Sequence, residues 1–182
     1  MPKRSLGRVA MSAAVAVVAL FGVASSPSWG QHDHGHAGGH QAAEACSAEF
    51  DKVVGEGRGF GMAFAADQNG YPGPMHVLEL KDRLKLTPDQ EAKARALMHA
   101  MFSESKPKSA RLLEAEAKLR RLFADRAADD AAVRAAVGEV ERARSQVRLV
   151  HLLAHLETRD LLTEDQRRIY HEARWAGLPP VK

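Results

Sequence analysis

The chain has 182 residues and a formal net charge of +3, from 26 Lys and Arg against 23 Asp and Glu. That length suits one ordinary domain with appendages and argues against two full domains. Three of the cations, Lys3, Arg4 and Arg8, lie in the first ten residues, and without residues 1–30 the count is 23 basic against 23 acidic. Overall charge therefore gives no support to a nucleic-acid partner.

Residues 1–30 have the pattern of a secretory signal peptide. A cationic start precedes an apolar run from about Val9 to Val23, which is shorter than the roughly 18 to 20 residues that a membrane-spanning helix needs. We therefore expect a cleavable leader rather than a retained anchor, and a periplasmic protein with no membrane span after cleavage. Cleavage is predicted after Gly30, with Ala24 or Ser26 as the alternative site.

Residues 31–70 are rich in His, Gly, Ala and acids and include the tract HDHGHAGGH. Such a composition buries too little apolar surface to offset its ordering entropy, so it predicts a mostly disordered segment with a short helical piece over about 43–54. Cys46, the only cysteine, excludes a disulfide within one chain. We expect an idle thiol, with pairing between chains or metal binding as alternatives.

The turn formers NGYPGP precede the predicted folded domain, 71–182, in which ordered structure is expected from about Met75. Its Ala, Leu, Arg and Glu favour helix alone among the regular structures, so the predicted class is all-α, with four to five helices. They are expected over about 76–84, from Thr87 to a stop or kink at Pro107, and over 108–126, 131–158 and 164–175. Asp129 or Asp130 is the expected N-cap of the fourth.

Apolar residues at helical spacing predict the buried faces of the three central helices. These are Ala94, Leu97, Met98, Met101 and Phe102 on the first, Leu112, Leu113, Leu119, Leu122 and Phe123 on the second, and Val133, Val137, Val140, Val147, Leu149, Leu153 and Leu156 on the third. Met98 and Met101, near His99, would also suit soft copper, but methionines on such a stripe are predicted to be core residues.

Two near-identical phrases stand at predicted helix starts, LTPDQ at 86–90 and LTEDQ at 162–166. In each, a threonine takes the N-cap and a glutamine the third helical position, which is the arrangement of a capping box. A leucine just ahead of each cap is expected to pack under the corner where the chain changes direction. The residues are Leu86, Thr87 and Gln90 in the first phrase and Leu162, Thr163 and Gln166 in the second.

The doubled phrase, separated by a long helical hairpin behind a signal peptide, resembles the paired LTxxQ signature of the Spy/CpxP family over about 75–175. The resemblance implies a bent antiparallel helical hairpin that dimerises into a curved cradle. It also implies an envelope-stress role, namely an ATP-independent chaperone that holds unfolded or misfolded envelope proteins. The alternative function, found in other members, is a periplasmic heavy-metal sensor or buffer, for which a sensor protein is a further expected partner.

Two groups of histidines are predicted metal ligands, because imidazole binds Zn, Cu and Ni well. They are His32, His34, His36 and His40 in residues 31–70, here called the tail, and His151 and His155 on the fourth predicted helix. The helical pair lies one turn apart, a spacing that lets two imidazoles share one ion, with His76 or His99 as a possible third ligand. Counting about 100° per residue places the pair away from the leucine stripe, so it is predicted to face water, the cradle surface or a partner chain.

The alternatives to these metal sites are a solvated low-complexity spacer and two exposed histidines without a ligand. No cofactor is required in the chaperone interpretation. The resemblance makes Arg111, Arg120, Arg134 and Arg142 candidates for client binding, and the alternative is a set of solvated arginines paired with acids. The sequence has no Gly-x-Ser-x-Gly motif and no phosphate loop, so we expect no enzymatic activity. A homodimer is expected, because a thin helical hairpin has little interior of its own.

Overall fold

The computed structural model describes residues 36–176 of the chain. Within that range there are seven helices and no strand: α1 (His36–Gly55), α2 (Phe64–Asp67), α3 (Pro74–Glu79), α4 (Lys81–Leu84), α5 (Pro88–Ala124), α6 (Asp130–Leu161) and α7 (Glu164–Trp175). The predicted all-α class is confirmed. None of the helices described is both long enough and apolar enough to cross a membrane. The predicted signal peptide, His32 and His34 lie outside the described residues.

The two long helices, α5 with 37 residues and α6 with 32, pack against each other as a hairpin. A short turn joins them, and Arg126 in that turn adopts a left-handed backbone with φ of 54°. The Asp129 side chain accepts a hydrogen bond from the Ala132 N–H at 2.7 Å, so it is Asp129 that caps α6. An ion pair of 2.8 Å between Glu116 of α5 and Arg144 of α6 also links the two helices.

The helix does not stop at Pro107, as the sequence suggested it would, because α5 continues through this residue. A proline inside a helix removes one hydrogen bond and costs roughly 3 kcal/mol. Tertiary packing on both sides of Pro107 offsets this cost: Ser105, Ser109 and Leu112 are fully buried against the rest of the fold. Two helices predicted from the local sequence are therefore one helix.

The segment predicted to be mostly disordered is ordered over the part that the structure describes. Its helical piece is confirmed and is longer than expected, because α1 runs from His36 to Gly55. The second half of α1 packs on the hairpin, where Val54 is fully buried in a cluster with Leu112, Ala115, Val140 and Val147. The average composition of residues 31–70 did not reveal that apolar residues are concentrated at Phe50, Val53 and Val54. Residues 41–49, including Cys46, are exposed.

Residues 56–73, here called the glycine-rich segment, connect α1 to α3 and lie against both long helices. Gly57, Gly61 and Gly70 have φ of 83°, 75° and 83°, which residues with a Cβ rarely adopt. A Cβ built on Gly57 would lie 2.9 Å from Lys106 Cγ of α5. Glycine therefore sets both the turns of this segment and its close approach to the hairpin.

The face of α6 that packs inward differs in part from the prediction. Val140 and Val147 are buried as expected, but Leu149, Leu153 and Leu156 are 50%, 47% and 47% exposed. Val137 of α6 and Phe123 of α5, also predicted to be buried, are 42% and 59% exposed. The helix has apolar residues on more than one face, and periodicity alone does not tell which face meets a partner element. The buried residues of α6 are Val140, Val147, Val150, His151, Ala154, His155 and Thr158.

Candidate functional site

Both LTxxQ phrases form the predicted capping boxes. In the first, Thr87 Oγ1 accepts from the Gln90 N–H at 3.2 Å, and Gln90 Oε1 accepts from the Thr87 N–H at 3.0 Å. The second repeats the same two distances between Thr163 and Gln166. These bonds satisfy N–H groups that a helix start leaves without an intrahelical partner. Leu86 and Leu162, just ahead of the caps, pack in one apolar cluster around Val77, Leu84, Ala94 and Tyr170.

The two glutamines also contact each other, which the sequence did not reveal. Their side-chain amides exchange hydrogen bonds of 2.8 and 3.0 Å across 76 positions of the chain. Gln90 Nε2 also donates to the Leu161 carbonyl at the end of α6, and Gln166 Nε2 donates to the Leu84 carbonyl at the end of α4. Each phrase therefore starts its own helix and caps the helix that leads into the other corner.

The position predicted for His151 and His155 is wrong. Both side chains are buried, with only 5% and 6% of each residue exposed, and they face the glycine-rich segment. His151 Nε2 lies 3.2 Å from Ser105 Oγ, and His155 Nδ1 lies 2.6 Å from the Tyr71 carbonyl oxygen. The helical wheel correctly separated the pair from the leucine stripe, but the covering segment follows a long glycine-rich sequence that gave no sign of packing there.

Two glycines make room for these imidazoles. A Cβ at Gly59 would stand 3.0 Å from His151 Cγ, and one at Gly73 would stand 2.8 Å from His155 Nε2. Burial, with a smaller contribution from His155, lowers the pKa of His151 to about 4. A hydrogen bond to the Gly57 backbone acts in the opposite direction and raises this pKa by less. Burial also lowers the pKa of His155. Both imidazoles are therefore neutral at pH 7.

A buried carboxylate joins the glycine-rich segment to the last helix. Asp67 is 4% exposed and accepts hydrogen bonds from the Tyr170 hydroxyl and from Arg174 Nε, the latter at 3.0 Å. His76 Nδ1 lies 3.4 Å from the same carboxylate. Burial alone would raise the pKa of Asp67, but the hydrogen bonds from His76, Tyr170 and Arg174 outweigh it and lower that pKa to about 2.

A cavity of about 560 Å³ lies between the glycine-rich segment and the hairpin. Its polar lining includes His76, His151, His155 and Asp67, and Met75 and Met101 lie in the same wall. The structure thus brings His76 near the predicted pair, with a ring-centroid distance of 6.3 Å to His155. His99, the other suggested third ligand, is exposed and does not line this cavity.

These residues fit a metal ion only in part. His155 Nδ1 donates to Tyr71, which leaves its Nε2 lone pair as a donor atom, but His151 Nε2 is engaged by Ser105. His76 lies between Asp67 and Arg174. Among the side chains that the structure describes, which do not include those of His36 and His40, no group of three His, Cys, Asp or Glu is placed to hold a metal ion. Metal binding by His151 and His155 stays a prediction, as does binding by His32, His34, His36 and His40.

The four candidate arginines occupy different surroundings. Arg120 pairs with Asp51 of α1 at 3.6 Å, and Arg134 pairs with Asp130 at 2.8 Å. Arg111 and Arg142 line one shallow groove of about 390 Å³ between α5 and α6, together with Lys108 and Lys118. In the described part of the chain neither Arg111 nor Arg142 makes an ion pair. The structure therefore groups these two on one surface and separates the other two from it.

Sequence reasoning missed the network of Asp67, His76, Tyr170 and Arg174. Its members are separated by as many as 107 positions and come from an apparent linker and a terminal helix. Each residue type is common on protein surfaces, so none gave a signal by itself. The turn formers after Asp67 gave a local signal, but they predicted the start of the folded domain, whereas packed residues such as Val54 and Asp67 precede them.

Comparison with known proteins adds one finding. A family model described as heavy-metal resistance matches residues 59–168, which is more than half of the chain. No curated protein and no solved structure matches. The matched range begins within the glycine-rich segment and contains both LTxxQ corners. The chain therefore belongs to the heavy-metal resistance family, which agrees with the Spy/CpxP resemblance of its doubled motif.

Proposed function

We propose that the protein is an exported, periplasmic, ATP-independent holdase that binds unfolded envelope proteins through the exposed side of α6. The observation that carries this proposal is a row of half-exposed leucines, Leu149, Leu153 and Leu156, on the helix face turned away from the core. These residues recur at i, i+4 and i+7, so they form one continuous stripe. Exposed contiguous apolar surface on a soluble domain is typical of a protein interaction site.

The neighbouring charge supports the same proposal. Arg142 lies seven residues before Leu149 and therefore on the same face of α6, and it lines the groove between α5 and α6 together with Arg111. Unfolded chains present apolar and acidic groups together, and a mixed apolar and cationic surface accommodates both. Covering a half-exposed leucine contributes about 1 kcal/mol, so three of them give weak and reversible binding, as a holdase requires.

The test is suppression of aggregation of a denatured client protein, measured by light scattering in EDTA. The variant Leu149→Ser, Leu153→Ser, Leu156→Ser is expected to need a several-fold higher concentration than the wild type for half-maximal protection. Val137→Ser is the matched control, because Val137 is a similarly exposed apolar residue on a different face of the same helix. Equal protection by the triple variant and the wild type would remove the proposal.

A second candidate function is heavy-metal binding as a sensor or buffer. The family match and the histidines around the cavity favour it. Calorimetry with Zn, Cu and Ni is the direct test, with His32, His34, His36 and His40 changed to Ala in one variant and His155→Gln in another. Loss of affinity only in the first would assign binding to the tail. Stoichiometric metal binding that is present in the wild type and lost in His155→Gln would assign metal binding to the cavity.

The structure also restricts how the tail can be removed. Deletion through residue 70 would take away Val54, which is fully buried in the main apolar cluster, and Asp67, which holds α7. Loss of chaperone function in such a truncation would report on folding. Point substitutions of the tail histidines separate the two candidate functions while the packed segment stays in place.

A further inference from the structure

The cavity under the glycine-rich segment has the size and the wall of a small-molecule site. Its volume of about 560 Å³ falls within the roughly 300 to 1,000 Å³ typical of such sites. Apolar side chains from four parts of the chain supply much of its lining, among them Val53 of α1, Phe64 of the glycine-rich segment, Met101 and Phe102 of α5, and Trp175 of α7. Leu149, Leu153 and Leu156, which form the proposed client surface, do not line this cavity.

Each charged residue of the wall is either paired within the protein or exposed to solvent. Asp67 is held by Arg174 at 3.0 Å and by the Tyr170 hydroxyl, and it is almost fully buried. Arg58 lies 3.7 Å from Glu56, and both side chains are about half exposed to solvent. The remaining charged lining residue, Glu49, is exposed on α1. A charged ligand would therefore meet no buried charge free to neutralise it, whereas an uncharged one loses little on entering.

Aromatic side chains distinguish the outer part of the cavity. Phe64 and Trp175 stand edge to face, with ring centroids 5.4 Å apart and planes at 81°. Phe64 and Phe60 nevertheless remain 51% and 41% exposed, although both line the cavity. Aromatic rings gain from edge-to-face or stacked contact with another ring, and the flexible thioether of Met101 adapts to the shape of a bound group.

We propose that this cavity binds a small uncharged aromatic molecule between the glycine-rich segment and the α5–α6 hairpin. The site is separate from the holdase surface and goes beyond the proposed function. The ligand rests on Met101 and Phe102 and is flanked by Phe64 and Trp175. Positive-φ glycines at 57, 61 and 70 set the turns by which the glycine-rich segment forms the outer wall of this cavity.

The test uses N-phenyl-1-naphthylamine, an uncharged aromatic probe whose fluorescence rises in apolar surroundings, titrated into the protein in EDTA. Saturable binding of one probe per chain is expected. Ala63→Phe, which fills the cavity from a buried lining position, is expected to weaken binding at least tenfold. Phe64→Ala is expected to weaken probe binding several-fold. Because Phe64 is half exposed, this variant is expected to keep the fold, and it serves as the test if circular dichroism shows that Ala63→Phe does not fold.

Leu153→Ser is the matched control, because it removes an exposed apolar side chain from the client surface and none from the cavity. Unchanged probe affinity in this variant, together with weakened affinity in Phe64→Ala, supports the site. Non-saturable binding overturns the proposal. So does weakened binding in Leu153→Ser with full affinity in Phe64→Ala, since the probe would then report the leucine stripe.

Discussion

His151 and His155 show how a polar residue becomes part of a core. Each imidazole is buried and has a specific partner, the Ser105 hydroxyl for one and the Tyr71 carbonyl for the other. Burial is favourable only for the uncharged ring, and this is why the pKa of both residues is lowered. The histidines therefore hold the glycine-rich segment in place at neutral pH and oppose that packing when they are protonated.

Acidification should for this reason destabilise the protein well before the carboxylates titrate. With the pKa of His151 lowered to about 4, from an unfolded value of roughly 6.5, its contribution is present above pH 6.5 and is lost as the pH falls toward 4. Urea unfolding in EDTA is expected to give about 2 kcal/mol less stability from this residue at pH 5 than at pH 7. Asp67, whose pKa is about 2, loses its contribution only below pH 3.8.

Two variants check this assignment. His151→Asn is expected to lower stability at pH 7 and to flatten its decline between pH 7 and pH 5. His171→Asn removes an exposed histidine of α7 and is expected to leave the decline as in the wild type. An undiminished decline in His151→Asn would show that other groups cause it.

At the scale of the elements, the repeated phrase acts as a matched pair. Gln90 and Gln166 each complete a capping box and each donate to a carbonyl at the end of a helix in the opposite corner. The pair is thus one hydrogen-bonded unit built from two helix starts and two helix ends. Such units are not additive under mutation, because the first substitution already deprives the partner of its bonds.

A double-mutant cycle with Gln90→Ala and Gln166→Ala tests this. Each single change is expected to cost about 1 to 3 kcal/mol in the free energy of unfolding, since it leaves buried groups without partners. The double variant should cost less than the sum by roughly 0.5 to 3 kcal/mol. Gln146→Ala, an exposed position within α6, is the control and is expected to stay within about 0.5 kcal/mol of the wild type. Strict additivity would contradict the proposed unit.

Local chemistry accounts for what the sequence predicted well. Capping residues set the starts of α5, α6 and α7, because Thr87, Asp129 and Thr163 bond within their own first turn. Sequence patterns failed where a distant segment decides the outcome. Pro107 lies inside a helix because tertiary packing holds both sides of it, and Leu153 is exposed because α1 and the glycine-rich segment cover the opposite face of the hairpin. The cavity joins residues of α1, α5, α6 and α7, which no single window of sequence contains.

The part of the chain that the structure describes leaves apolar surface uncovered. One layer, made by the second half of α1 and the glycine-rich segment, packs on a two-helix hairpin, and large apolar side chains such as Phe123 and Leu149 stay half exposed. A second copy is the simplest way to cover part of this surface. The homodimer inferred from the sequence therefore remains our expectation.

Sedimentation equilibrium is expected to give about twice the monomer mass at micromolar concentration. Because the leucines of α6 are proposed to bind clients, they should be accessible in that dimer. The variant Leu149→Ser, Leu153→Ser, Leu156→Ser is then expected to sediment as the wild type does. A monomeric wild type would contradict the dimer, and a monomeric triple variant would assign the leucines to its interface.

The bond between the two glutamines also bears on how the chain folds. The α5–α6 hairpin forms through contacts near in sequence, whereas the corner contact must close a loop of 76 positions, at a greater loss of chain entropy. Zipping of the hairpin from its turn brings the two ends together and shortens that search. We therefore expect the repeated phrase to come together in a late step of folding, so that its disruption chiefly accelerates unfolding and leaves the refolding rate unchanged.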